Sequence, residues 1–357
     1  MGINSWELAN QKIVNPYLRD ILSLTFCSFV IALNLIQRFM NIRLGSESWA
    51  HNLTAIWSNI AADVAQGIPL YVVPAADNKP PVWNFLFVST IQNLPRPVLL
   101  IIPFIGNVLL ISGVYYLSIR RYGFWVGGPV TLLLLGILPT IDAFLIQPTS
   151  FTAGLIVWGI FFGGSATSGF FLGFCSMFHQ YGGFALPVFL LKLHREGGLT
   201  KQRLMRFIGG FLTTIVIPFM IVAMIWGWES LKGAIYWTFI SPIGYILGRP
   251  EAEPVYTSAS TQASLLHNPL NWGDLMLDVI LPSVHIIIPA TVIGVYVLLK
   301  SRQEPELIDV TAMTFLLLPL LVRGFPRYWL LAIPFMCLLT GKFLIELVSV
   351  QKIDFYG

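Results

Sequence analysis

The chain has 357 residues, 56% of them hydrophobic and only 11% charged, with a formal net charge of +4 and a mean hydropathy of +0.75. That composition excludes a soluble globular protein, and so small a charge excludes a nucleic-acid binder. What remains is an all-α integral membrane protein, read as one polytopic domain over 1–357 without a separate soluble block. Cys27, Cys175 and Cys337 each sit inside an apolar run, where a thiol behaves as a small hydrophobe, so neither a disulfide framework nor a metal site follows from them.

In chain order, Lys12 and Arg19 precede an apolar run from Ile21 to Ile36, closed by Gln37-Arg38. This is the first span, with a cytoplasmic N-terminus. Further spans cover Pro97 to Ser118, Gly123 to Ile137 and Phe151 to Phe162, then two short ones within Ser168 to Leu193 broken at His179-Gln180-Tyr181-Gly182-Gly183. Phe207 to Trp226, Val279 to Leu299, Leu307 to Val322 and Tyr328 to Leu347 complete a set of about ten. The basic cluster Lys192, Arg195, Lys201, Arg203 and Arg206 selects the two-helix reading of Ser168 to Leu193, because only that reading puts the cluster in the cytoplasm. Most of the 21 Lys and Arg residues then lie inside. Both termini are cytoplasmic, and residues 37–96 and 228–278 form the two large outward loops.

The first outward loop is polar where the rest is apolar. Leu53, Ile56, Trp57, Ile60 and Val64 recur at helical spacing, which predicts an amphipathic interfacial helix. Gly67 ends it in a left-handed cap and Pro69 forbids its continuation. After Asp77-Asn78-Lys79-Pro80-Pro81, a second interfacial helix opens at Pro81 and carries Val82, Phe85 and Leu86.

Gly67-Ile68-Pro69-Leu70-Tyr71 followed by Asp77-Asn-Lys-Pro-Pro81 resembles the motifs of the GT-C superfamily of lipid-phosphate-sugar glycosyltransferases. The similarity is greatest to the branch of protein O-mannosyltransferases and aminoarabinose transferases, and the compact loops resemble those of its prokaryotic, archaeal members. Arg323-Gly-Phe-Pro-Arg327-Tyr-Trp329 is similar to the arginine turn before the last spans of those proteins. The resemblance implies a GT-C fold and transfer of a sugar, with inversion, from a polyprenyl- or dolichyl-phosphate donor. The implied acceptor is a lipid-linked glycan or a protein at the outer leaflet of the cell membrane, and the implied partners are donor, acceptor and membrane lipid, with no nucleic acid.

On that resemblance Lys79 binds the donor phosphate, with Arg323 and Arg327 offering guanidinium forks to the same group. A carboxylate takes the proton of the acceptor hydroxyl. Where the family holds its aspartate this chain has Leu53, and the nearest earlier carboxylate is Glu47, with Asp63 and Asp77 as the other candidates. His179, Gln180 and Tyr71 are candidate cavity residues, polar groups placed at membrane depth or at its edge. Each has a plainer reading: interfacial lysine and arginine contact headgroups, Asp77 closes an Asx turn, and a lone histidine is a bonded interior residue.

No Asp-x-Asp occurs, Glu251-Ala-Glu253 is too short a match to argue a metal site, and no cofactor or divalent metal is expected. Asn52-Leu-Thr54 is a formal glycosylation acceptor set against the membrane, where modification is not expected. Two other classes use the same greasy spans and basic turns: a transporter or flippase of lipid-linked saccharides, and an inactive accessory subunit. A transporter is disfavoured by the lack of an internal repeat and by the clustering of the motifs on one face.

Overall fold

The computed structural model describes residues 59–72, 79–85, 101–138, 143, 147–246, 306–321 and 326–354, together with isolated helical residues between 21 and 36. Glu47, Asp77, Arg323 and the span expected at Val279 to Leu299 lie outside the described residues. Those described contain helices and turns but no strand.

The principal helices are α1 (Ile101–Tyr122), α2 (Phe124–Ile137), α3 (Thr149–Phe161), α4 (Ser165–Phe178), α5 (Leu186–Arg195) and α6 (Lys201–Ile235). After α6 come a π-helical turn (Tyr236–Ile240), α7 (Ser241–Ile246), α8 (Leu307–Leu321), the short α9 (Pro326–Trp329) and α10 (Ile333–Asp354). Among the described residues two stretches are long and apolar enough to cross a membrane, Ile102–Tyr122 and Lys201–Ile243. Shorter apolar helices pack beside them, including Phe124–Ile137, Thr149–Phe161 and Ser165–Phe178.

Sequence punctuation explains the ends. Arg120 and Arg121 fill the last turn of α1, where cations meet the negative end of the helix dipole. Gly123 follows at a φ of 78° and donates its N–H to the Ile119 carbonyl, a stop that a side chain would oppose. Between α4 and α5 the chain turns at His179 and passes through a tight helical stretch, Gln180–Ala185, before Pro187 opens α5. The expected break in the Ser168 to Leu193 run is therefore present, and α5 folds back along α4.

Close approaches at glycines give the helix directions. Gly106 of α1 faces Phe151 and Gly113 faces Val157 and Trp158, so α1 and α3 run in the same direction. Gly169 of α4 meets Phe207 and Gly173 meets Thr214, so α4 and α6 are also parallel. At Gly169, Gly173 and Gly210 a Cβ would overlap backbone or side-chain atoms of the facing helix, and small residues of this kind let lipid-embedded helices mesh backbone to backbone.

Those directions separate two ends of the bundle. At one end Arg121 of α1 pairs with Glu306, and Lys342 of α10 lies 3.3 Å from the buried carboxylate of Asp309 on α8. Asp309 also accepts the N–H of Glu306 at 2.8 Å, one half of a capping box at the start of α8. Lys192, 2% exposed, closes the same end. It donates to the carbonyl of Phe162 at the end of α3 and to Ser168 Oγ in the first turn of α4, while Glu196 stands 3.3 Å away. The other end carries Phe151, stacked on Phe178 with centroids 5.0 Å apart, the His179 turn and the segments 59–72 and 79–85.

The expected outward segment 228–278 begins as helix, which passes Gly227, whose φ of 84° kinks it, and runs to Ile246. The residues after Gly227, Trp228 to Ile235, contain neither proline nor a turn cluster, so the helix resumes in a new direction.

Candidate functional site

Residues 59–65 are helical, and the chain leaves them through Gly67 at a φ of 85°, as the spacing of Gly67 and Pro69 predicts. The N–H of Gly67 bonds to the Val64 carbonyl and that of Ile68 to the Asp63 carbonyl, both at 3.0 Å. Asp63 is half-buried on this helix. Residues 69–72 then form a turn closed by the N–H of Val72 on the Pro69 carbonyl at 3.3 Å, with Tyr71 at a φ of 71°. That position of a turn normally selects glycine or asparagine, and a bulky residue there costs about 1–2 kcal/mol.

The tyrosine is held in place by its own hydroxyl. Tyr71 Oη donates to the carbonyl of Lys79 at 2.8 Å and accepts from Asn84 Nδ2 at 2.7 Å. Asn84 Nδ2 also reaches the Lys79 carbonyl at 3.1 Å. Asn84 belongs to the helical stretch 81–85 opened by Pro81, and Tyr71 and Asn84 are both buried. Buried hydrogen bonds of this kind contribute about 1 kcal/mol each, enough together to offset the turn's strain. The result is a three-point clamp that joins the Gly-x-Pro-Leu-Tyr element to the lysine of Asp-x-Lys-Pro-Pro and fixes the backbone of Lys79.

The clamp rests on the bundle through two aromatic contacts and one glycine. Trp83 meets Phe151 edge to face with centroids 6.2 Å apart, and Phe85 stacks on Trp226 at 5.8 Å. Gly233, on α6 beyond the kink, lies directly under the Tyr71 carbonyl, and a Cβ built on it would overlap that oxygen.

His179 and Gln180 form a second group at the same end. His179 is 2% exposed, its Nδ1 accepts the Tyr181 N–H at 3.3 Å, and its ring lies 5.8 Å from that of Tyr328. This is the bonded interior histidine, and it packs the turn at 179–185 onto the residue that follows Arg327. Gln180 Oε1 is buried without a hydrogen-bond partner among the described residues. Arg327 lies on the short α9, and its side chain falls outside the described residues, as do Glu47, Asp77 and Arg323.

The structure therefore brings Tyr71 and Lys79 together, with the Tyr71 hydroxyl supporting the backbone of the lysine. Two participants escaped the sequence reading. Asn84 is a polar residue between Trp83 and Phe85 in an apolar helix, a readable signal in a run taken only for its apolar face. Gly233 carries no local signal, because its partner lies far away in the chain. Among the described residues no group of His, Cys, Asp and Glu is arranged to hold a metal ion.

No curated protein and no solved structure matches the chain. A family model does: glycosyltransferase family 87 matches residues 80–322, more than half of the chain, beginning one residue after Lys79 and ending one before Arg323. An apolar helical bundle that carries this match is a membrane glycosyltransferase of the GT-C type, and the chain belongs to glycosyltransferase family 87.

Proposed function

We propose that this glycosyltransferase takes its sugar from a polyprenyl- or dolichyl-phosphate donor and passes it, with inversion, to a lipid-linked glycan or protein acceptor at the outer leaflet. The observation that carries the reading is the clamp on Lys79: a lysine backbone tied by Tyr71 and Asn84 at the end of the bundle opposite Lys192 and Arg121. An ammonium carried on a fixed backbone at a membrane surface suits a lipid phosphate whose negative charge grows as the glycosidic bond breaks.

In the proposed step the acceptor oxygen attacks the anomeric carbon from the face opposite the phosphate. The bond from that carbon to the phosphate oxygen breaks, and its electron pair leaves with the polyprenyl phosphate. A carboxylate, Glu47 first with Asp63 and Asp77 as the other candidates, receives the acceptor's hydroxyl proton. Lys79, Arg323 and Arg327 neutralise the departing phosphate, so the step requires no divalent metal. The branch near protein O-mannosyltransferases and aminoarabinose transferases, the archaeal origin, the ten spans, the single domain over 1–357 and the cytoplasmic termini are proposed with it, on the same motifs and charge distribution.

The test is sugar transfer in membranes supplied with radiolabelled polyprenyl-phosphate hexoses, with free polyprenyl phosphate measured as co-product. Lys79→Ala and Glu47→Gln are expected to abolish transfer at matched expression while Asp63→Asn stays active. A wild-type protein that binds the labelled lipids yet releases no polyprenyl phosphate would overturn the proposal in favour of a lipid-linked saccharide carrier or accessory subunit.

A further inference from the structure

Asn84 carries an amide oxygen that no described residue uses. Its Nδ2 is committed twice, to the Tyr71 hydroxyl at 2.7 Å and to the Lys79 carbonyl at 3.1 Å. The network decides which edge of the amide faces the clamp. Tyr71 already spends its proton on the Lys79 carbonyl, and that carbonyl can only accept, so only the amide's N–H edge fits there. Oδ1 is left on the opposite edge, on a residue 1% exposed, with no hydrogen-bond donor among the described residues. Buried acceptors in a settled interior are almost always bonded, and this one belongs to the residue whose amide N–H holds the backbone of the candidate phosphate-binding Lys79, which marks it as a place where a donor arrives with the ligand.

The chemistry of that atom limits what it can take. An amide oxygen accepts and cannot donate, so it repels a phosphate oxygen and welcomes a hydroxyl. Lys79 and Asn84 Oδ1 thus divide one ligand between them, the ammonium suited to the anion and the amide oxygen to an O–H close to it. A lipid-phosphate sugar presents those two groups on adjacent parts of one molecule.

We propose that Asn84 Oδ1 accepts a hydrogen bond from a hydroxyl of the transferred sugar, which makes Asn84 a specificity-determining residue for the donor. The assignment rests on the lipid-phosphate-sugar reading given above.

The experiment uses the full chain in liposomes with polyprenyl-phosphate glucose, galactose and mannose, then, for the best of these, a series of donors each lacking one sugar hydroxyl. Wild type is expected to reject one member of the series by at least about tenfold in kcat/KM, because a site built to bond a hydroxyl penalises its absence. Asn84→Ala treats that member and its parent alike while retaining the ranking of the others. Asn84→Ser, less disruptive, shows the same loss of discrimination should the alanine variant fold poorly. Asn107→Ala is the control: its Oδ1 is also buried without a donor among the described residues, but its amide donates to the Ala143 carbonyl at 3.0 Å and not to Lys79, and its loss leaves the wild-type pattern intact. If Asn84→Ala and Asn84→Ser slow every donor in the same proportion, Asn84 only positions Lys79 and the proposal is overturned. If wild type accepts none of the lipid-phosphate sugars, the donor reading itself falls, a result visible before any variant is compared.

Discussion

Gly233 lies under the main-chain carbonyl of Tyr71 with no room for even a methyl group between them. The contact joins the helix emerging beyond Gly227 to the turn that carries the Lys79 clamp. Neither partner can retreat cheaply, since Tyr71 is held by its hydroxyl and Gly233 by a helix whose neighbours Ser230 and Ala234 are fully buried. Gly233→Ala is therefore expected to push the 69–72 turn away and lower transfer at least tenfold. Its thermal stability in detergent should fall by only about 1–2 kcal/mol, within the range for a strained small-to-large change. Activity retained at the wild-type level would show that the turn moves without consequence for Lys79.

Tyr71 offers a separate test of strain against bonding. Tyr71→Phe keeps the ring and removes the hydroxyl that bridges Lys79 and Asn84. It should cost about 1–3 kcal/mol of stability, because two buried polar groups lose a partner while the left-handed backbone is retained. Tyr71→Gly relieves the φ of 71° but also loses the clamp. Both variants should raise KM for the donor, and glycine should be no better than phenylalanine in activity despite its easier backbone. A glycine variant with wild-type KM would show that the turn geometry alone positions the lysine.

At the opposite end, Lys192 satisfies the Phe162 carbonyl and the Ser168 hydroxyl while buried among three helix termini. Lys192→Met fills a similar volume and leaves both acceptors, and Glu196, without their cation. A loss of about 1–3 kcal/mol is expected, the cost of leaving buried neutral acceptors unsatisfied, since Glu196 is partly exposed and can be hydrated. Combining it with Ser168→Ala should be less than additive, since the two side chains share one bond. The readout is melting in detergent, and additive losses would show that the Lys192 to Ser168 bond carries no energy of its own.

The seam between α4 and α6 predicts a steric failure. Gly169 faces the Phe207 carbonyl, and Gly210 faces the Ala166 carbonyl. Gly169→Leu or Gly210→Leu should prise the helices apart and sharply reduce folded yield in membranes. Gly209→Leu, one residue away with open space around its Cβ position, should be tolerated. Equal yields from Gly209→Leu and Gly210→Leu would remove the distinction the seam makes.

Much of this fold is written in short-range signals. Apolar runs, Arg120-Arg121, Gly123 and the break at His179 mark helix ends that the structure reproduces, because termination depends on cations, positive φ and missing N–H groups within a turn of the event. Gly227 is ambiguous for the opposite reason. A glycine can end a helix or bend it, and only what α6 packs against afterwards decides between the two. The site divides similarly: Lys79 and Tyr71 stand in recognisable motifs, whereas the bonds joining them run through Asn84, whose importance appears only when both turns converge on its amide.

The kink at Gly227 also settles a problem of length. The apolar helical stretch Lys201–Ile243 has 43 residues, which at 1.5 Å per residue would make a straight rod about 65 Å long, roughly twice the hydrocarbon thickness of a bilayer. Such a rod would carry apolar side chains far into water. By redirecting the chain at one glycine, the protein avoids so long a rod and sets the residues beyond the kink as a strut against the Tyr71 turn. A mismatch that would burden an ordinary anchor here becomes the scaffold of the candidate site.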